Sequence, residues 1–270
     1  MGLNFLRDDY KLTTWISLGA FLQSLLFLLY PRRIVALPAI FFIALLAFKG
    51  LLLHYGPLPN RIHSKVRLGR MTAQVVDEDS SVSKGSSKGV VIFLLGARSN
   101  DTMRGIFTPG YKESGDLFGA MWRDLSANRE KWGYLGKTST LIATDDENSN
   151  SMAWISYWRS LEHLQAFAHG EMHKKGRNWY LKGKYRNFGI MHETYVVPAG
   201  NWETIYLNFT PFGLGQTKQP VKVGEKQIKD DGNVAYASGL REAKGPTWQS
   251  MKSRMKRVAA GEDSYSGHDD

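Results

Sequence analysis

The chain contains no cysteine. That excludes disulfides, thiolate metal sites and cysteine nucleophile chemistry. It also lacks a glycine-rich phosphate loop and a GxSxG elbow, which removes the commonest nucleotide cradle and the α/β-hydrolase nucleophile. Acidic residues are in deficit, with 25 Asp and Glu against 35 Lys and Arg, a formal net charge of +10. The basic residues are dispersed and no recognition motif accompanies them. This argues against nucleic acid as a partner and for solubility with attraction to an anionic membrane face.

Charge is absent from residues 12–30, and residues 34–55 are interrupted only by Lys49 and His54. A bilayer core needs about twenty apolar residues per helix, so each run is long enough to span. Pro31, Arg32 and Arg33 alone separate them, so the two helices form an antiparallel hairpin. A cleaved signal peptide fits poorly, because its apolar core is shorter and Asp8 and Asp9 stand before this one. Arg7 and Lys11 precede the hairpin, and Arg61, Lys65, Arg67 and Arg70 follow it. The positive-inside rule then places both termini and the main domain in the cytoplasm, on a membrane such as the endoplasmic reticulum.

Residues 56–88 read as a flexible linker, with Pro57, Pro59 and the polar run DEDSSVSKGSSK. Residues 89–96 (GVVIFLLG) predict a buried strand. Residues 112–130 predict a helix capped by Ser114, with Leu117, Met121, Trp122 and Leu125 on one face. Residues 132–144 and 152–158 predict strands joined by the polar turn DDENSN. A second helix starts at Ser160, with Gly170 and Gly176 expected to bend or restart it. Residues 187–197 predict a fourth strand, and residues 202–209 a fifth that pairs back on it as a hairpin. The first six elements follow the split βαβ, ferredoxin-like order. Such an antiparallel sheet carries helices on one face and leaves the other bare. A second copy of the sheet is the expected cover, giving a homodimer.

Residues 152–214 hold four of the eight Trp and four of the seven His. The segments 156–160 (SYWRS), 167–169 (FAH), 189–200 (GIMHETYVVPAG) and 213–215 (GLG), with 89–93 (GVVIF), resemble a family labelled monooxygenase-like. That family stands near the antibiotic-biosynthesis monooxygenases, within the dimeric α/β-barrel superfamily. The resemblance covers residues 89–215. It implies a dimeric barrel with an apolar cavity between sheet and helices. The activities it implies are cofactor-free oxygenation of aromatic polyketides or haem-dependent chemistry of the aldoxime-dehydratase kind. A membrane anchor suits a greasy intermediate of secondary metabolism, of polyketide or terpenoid type, by analogy.

The candidate chemistry follows. His192 and Glu193 are strand neighbours on opposite faces, so only one meets the cavity; an inward His192 suits a general base. Arg159 and Asn208 are candidates to stabilise an anion. Trp154 and Trp158 share one strand face, Tyr157 and Arg159 the other. With Phe167 and Tyr206 these aromatics are candidates to line a substrate cavity, or to serve as core and interface packing. His173, with His169 four residues before it, is the candidate haem ligand that the resemblance implies. No metal site is expected. Residues 216–270 read as a mixed-charge tail, partly disordered, whose basic run 252–257 can touch anionic lipid. A non-catalytic carrier of a lipophilic molecule is the alternative to an enzyme.

Overall fold

The computed structural model describes residues 12–30, 33–60, 63–76, 86–101, 104, 107–145, 150–183, 186–221 and 235–256. The chain divides into two compact units, Met1–Val66 and Arg67–Asp270.

In the first unit, α1 (Leu12–Leu29) and α2 (Leu37–His54) are joined through a 3-10 turn, Arg33–Ala36. Pro38 sits in the first turn of α2, where its missing N–H costs nothing. The Gln23 side chain donates to the Val35 carbonyl at 3.0 Å and pins the turn. Each helix has 18 residues, about 27 Å of rise, close to the thickness of a bilayer core. Apolar side chains ring both helices and neither buries a residue, so both are long and apolar enough to cross a membrane. Of the flanking charges, Arg7, Lys11, Arg32 and Arg61 lie outside the described residues.

The second unit runs β1 (Arg67–Ala73), β2 (Val90–Ser99), α3 (Tyr111–Ala127), α4 (Arg129–Trp132), β3 (Tyr134–Lys137), β4 (Leu141–Ile142), β5 (Ser151–Trp158), α5 (Leu161–Ala168), α6 (Glu171–Gly183), β6 (Phe188–Val197), β7 (Tyr206–Phe209), β8 (Lys218–Val221), β9 (Ala235–Ser238), β10 (Leu240–Glu242) and α7 (Met251–Arg254). The main sheet has the order β3-β5-β2-β6, antiparallel throughout, with β4 paired to β5. This is the ferredoxin-like arrangement, an α+β fold with helices on one face. Pairing in the ladders fixes the faces. Val91, Phe93 and Leu95 of β2 lie beside Trp158, Ser156 and Trp154 of β5 and beside Val196, Thr194 and His192 of β6. That face meets the helices through a core of Val91, Leu125, Trp132, Tyr134, Trp158, Leu164 and Phe167.

Several boundaries differ from the sequence reading. The first helix is capped by Gly110 at φ 83° and not by Ser114. The 132–144 strand is two short pieces, β3 and β4, with a register shift in β3 between Tyr134 and Gly136. The second helix breaks at Gly170, where a Cβ would press the Phe167 carbonyl at 2.9 Å, but continues through Gly176. Most of the DDENSN turn and of the 77–88 run lies outside the described residues.

The larger correction concerns the bare face. Residues 56–88 are not a featureless linker, because β1 is a strand and Thr72, Ala73 and Gln74 are buried. The fifth strand is shorter than expected and pairs with β1, not with β6. With β10 it forms a second sheet, β10-β1-β7. Ala73, Val75, Trp202 and Leu214 pack there with Val90, Ile92 and Tyr157, so this chain's own flanks cover that end of the main sheet. The flanks carry little apolar patterning. Side-chain amides and hydroxyls hold them instead: Gln74 donates to Thr72 and accepts from the Ser86 N–H, while Gln219 accepts from the Val76 N–H and donates to the Gln74 carbonyl. The expected tail is likewise folded in its described part. Arg254 is buried, paired to Glu203 at 2.7 Å and donating to the carbonyls of Trp248 and Gln249.

Candidate functional site

The β6 strand is open on both sides. Phe188 at its start is buried, but residues 191–196 are exposed. On its helix-facing side His192 lies across from Leu95, with Trp154 beyond it, and stacks on Phe93 at 5.4 Å between ring centroids. The α6 helix forms the opposing wall. His173, Gly176 and Tyr180 recur at helical spacing on one face. Gly176 is buried against Met121, and the Tyr180 hydroxyl donates to the Phe188 carbonyl at 3.1 Å. His173 therefore projects into the space between helix and sheet, edge-on to Phe167 at 5.9 Å.

The electrostatics of His173 are distinctive. Its Nδ1 is buried with no hydrogen-bond partner. Burial pushes its pKa below the usual histidine value, the Ala168 carbonyl opposes this, and the nearby charges of Arg177, His192 and His169 reinforce it. Burial thus favours the neutral form of the ring, which is half-shielded from water with the Ala168 carbonyl nearby. Deeper along the same face an aromatic wall of Phe118, Trp154 and Trp122 continues, with centroids 5.7 and 6.1 Å apart from Trp154.

The other predicted site residues are placed as follows. Arg159 donates to the Glu130 carboxylate at 2.8 Å and to its carbonyl at 2.6 Å, at the start of α5. Five ladder positions separate it from the His192 row, about 17 Å along the strand. Asn208 lies in the second sheet, at φ 47°, and its side chain accepts the Gly69 N–H at 2.8 Å. His192, Arg159 and Asn208 therefore do not converge, and the expected three-residue centre is corrected to three separate places. Glu193 is on the opposite face, where it accepts from the Tyr195 hydroxyl. Trp158 and Phe167 are core residues, Trp158 donating to Ser156 at 3.0 Å. Trp154 donates to Thr140 at 3.0 Å. Tyr157 and Tyr206 are half-buried under the GLGQ turn; burial raises both, Tyr157 to about 12. The Tyr206 hydroxyl donates to the Phe212 carbonyl and accepts from the Gly215 N–H, which makes it a structural pin. His169 caps α5, its Nδ1 2.8 Å from the Gln165 carbonyl, so it does not share a helix with His173.

Sequence reasoning missed Phe93, Leu95 and Phe118 as lining residues. The alternation of Val91, Phe93 and Leu95 carried the signal for the first two. Phe167, which lies edge-on to His173, is itself wedged against Trp132 and Trp158. Among the described residues no three His, Asp or Glu side chains converge to hold a metal ion. On the opposite face, at the uncovered end of the sheet, Leu94, Gly96, Leu141, Ala153 and Met191 line an apolar groove of about 480 Å³.

Sheet order and helix placement define a ferredoxin-like α+β domain. Residues 90–214 match the model of the family described as monooxygenase af470-like. The chain is 28% identical over 254 residues to monooxygenase af470 of Aspergillus fumigatus, covering 94% of this chain and 90% of that protein. Among solved structures, an aldoxime dehydratase in complex with butyraldoxime shares 14% identity at a TM-score of 0.40, over 56% of this chain and 43% of that enzyme. SnoaB of Streptomyces nogalater, a cofactor-independent oxygenase, shares 13% identity at a TM-score of 0.28, over 40% of this chain and 91% of SnoaB.

Proposed function

We propose that this protein is a membrane-anchored monooxygenase acting on a hydrophobic, hydroxylated small molecule of polyketide or terpenoid type, without flavin, nicotinamide or haem. The observation that carries the reading is the half-buried His173 imidazole, its pKa lowered by burial, on the helix-covered side of the sheet where His192 stacks on Phe93. The family-model match and the name of the Aspergillus relative support the reaction class. The reaction converts a substrate CH2 to C=O, keeping one atom of dioxygen and releasing the other as water. His173 takes the proton, the resulting substrate anion supplies the electrons, and the aromatic face of Phe93, Phe118 and Trp154 holds the flat apolar body. His192, on the cleft floor, orients the substrate oxygen. The α1–α2 pair anchors the chain beside its lipophilic substrate, with the second unit on the cytoplasmic side and a second copy packing on the uncovered end of the sheet.

Dioxygen uptake by the full chain in detergent, with a panel of hydroxylated polycyclic aromatics, tests this. A general base contributes about 10²–10⁴-fold, so His173→Gln loses that factor in kcat while keeping its circular dichroism. Uptake unchanged in His173→Gln, or a haem absorption band that appears on adding hemin and vanishes in that variant, overturns the reading.

A further inference from the structure

The second sheet carries a surface that neither packing nor the proposed chemistry uses. At the tip of the β1–β7 ribbon Leu68, Leu207 and Phe209 are 81%, 64% and 53% exposed. The tip is shaped by a register shift between Arg67 and Arg70, with Gly69 at φ 83° and its N–H held by the Asn208 side chain. At this irregularity three large apolar side chains are left in water. Arg67 is exposed beside them, and the Arg70 guanidinium reaches the Gln249 carbonyl at 2.8 Å. That bond brings the α7 segment alongside, where Met251, Lys252 and Lys256 are exposed.

We propose that this ribbon tip docks on an anionic lipid surface, with Leu68, Leu207 and Phe209 entering the headgroup region and Arg67, Lys252 and Lys256 pairing with lipid phosphates and carboxylates. Exposed apolar side chains rimmed by polar residues mark an interaction site. The exposed Arg67, Lys252 and Lys256 flank it, and the one acid on the adjoining strand β10, Glu242, is paired to Lys244 at 3.0 Å, in a chain of net charge +10, which disfavours a second copy. An anionic bilayer supplies the opposite charge and an apolar interior. Arg67 follows His54 by thirteen positions, so the connection reaches at most about 45 Å. The inference rests on the reading of α1 and α2 as a membrane anchor.

The chain has no cysteine, so one introduced thiol labels one place. Full-length Leu68→Cys, carrying an environment-sensitive nitrobenzoxadiazole label, is reconstituted into phosphatidylcholine vesicles with and without phosphatidylserine. Glu113→Cys on α3 serves as the control position. The expected result is a blue-shifted emission quenched by spin-labelled lipid for Leu68→Cys in the phosphatidylserine vesicles. The shift shrinks in phosphatidylcholine alone and in the Arg67→Glu, Lys252→Glu background, and the Glu113 label stays solvent-like. A solvent-like Leu68 label on protein that floats with the vesicles overturns the docking surface and leaves the anchor standing. Protein that floats with neither vesicle removes both. A blue shift that follows protein concentration in detergent assigns the tip to a second copy instead.

Discussion

Replacing Arg254 by Ala tests whether the C-terminal segment is part of the fold. The Arg254 side chain is 5% exposed and Glu203, its partner at 2.7 Å, is 18% exposed. The same guanidinium donates to two backbone carbonyls at 2.8 Å, those of Trp248 and Gln249. Gln249 keeps a second donor in Arg70, but Glu203 loses its cation in a poorly hydrated setting. Breaking a buried pair by removing one partner costs about 3–5 kcal/mol. For a domain of this size each kcal/mol lowers Tm by about 2–4 °C, so the expected loss is about 6–20 °C. The double variant Arg254→Met, Glu203→Leu recovers most of it, because no charge is then left unpaired. Intrinsic tryptophan fluorescence during thermal unfolding reads the change, since Trp202 packs in the core next to this pair's loop. A loss below about 1 kcal/mol would refute the idea that this segment locks the second sheet in place.

Three further outcomes follow. A Cβ at Gly239 would lie 1.7 Å from the Gln74 carbonyl oxygen, so Gly239→Ala separates β10 from the Gln74 network and loses several degrees of Tm, whereas Gly189→Ala, whose Cβ would meet only ordinary contacts at 3.8 and 3.9 Å, keeps the contacts intact. Tyr157 is held neutral by burial up to about pH 12. Its folded pKa is raised, so the unfolded chain releases this proton first; stability is full below about pH 10 and falls between 10 and 12, and Tyr157→Phe flattens that fall in chemical denaturation. For His173 the folded pKa is depressed, so the unfolded chain binds the proton first and stability falls as pH drops below 6.5, a slope that His173→Gln removes.

The main sheet was legible because its signals are local. Alternation in residues 152–158 and the apolar run 89–96 fix which side chains share a face, and the ladders of β5 and β2 reproduce it. The second sheet was hidden because its strands are short and far apart in the chain, and because Thr72, Gln74 and Gln219 are buried polar residues held by hydrogen bonds. Such residues look like linker in a hydrophobicity pattern. The candidate site was half legible. His192 and His173 were visible as histidines in a strand and a helix, but their lying on the same side of the sheet depends on how α6 packs on α3 and α5. Arg159 and Asn208 were attractive by residue type, and local partners, Glu130 and Gly69, claim them.

The central claim is that His173 is a half-buried base whose neutral form is favoured by burial. Nitrogen-15 NMR of the imidazole ring through a pH titration of the full chain in detergent tests it most directly. The account predicts that His173 titrates below 6.5 and that a bound hydroxylated aromatic shifts its ring nitrogens. A His173 that titrates at or above 6.5 and ignores such ligands would contradict it.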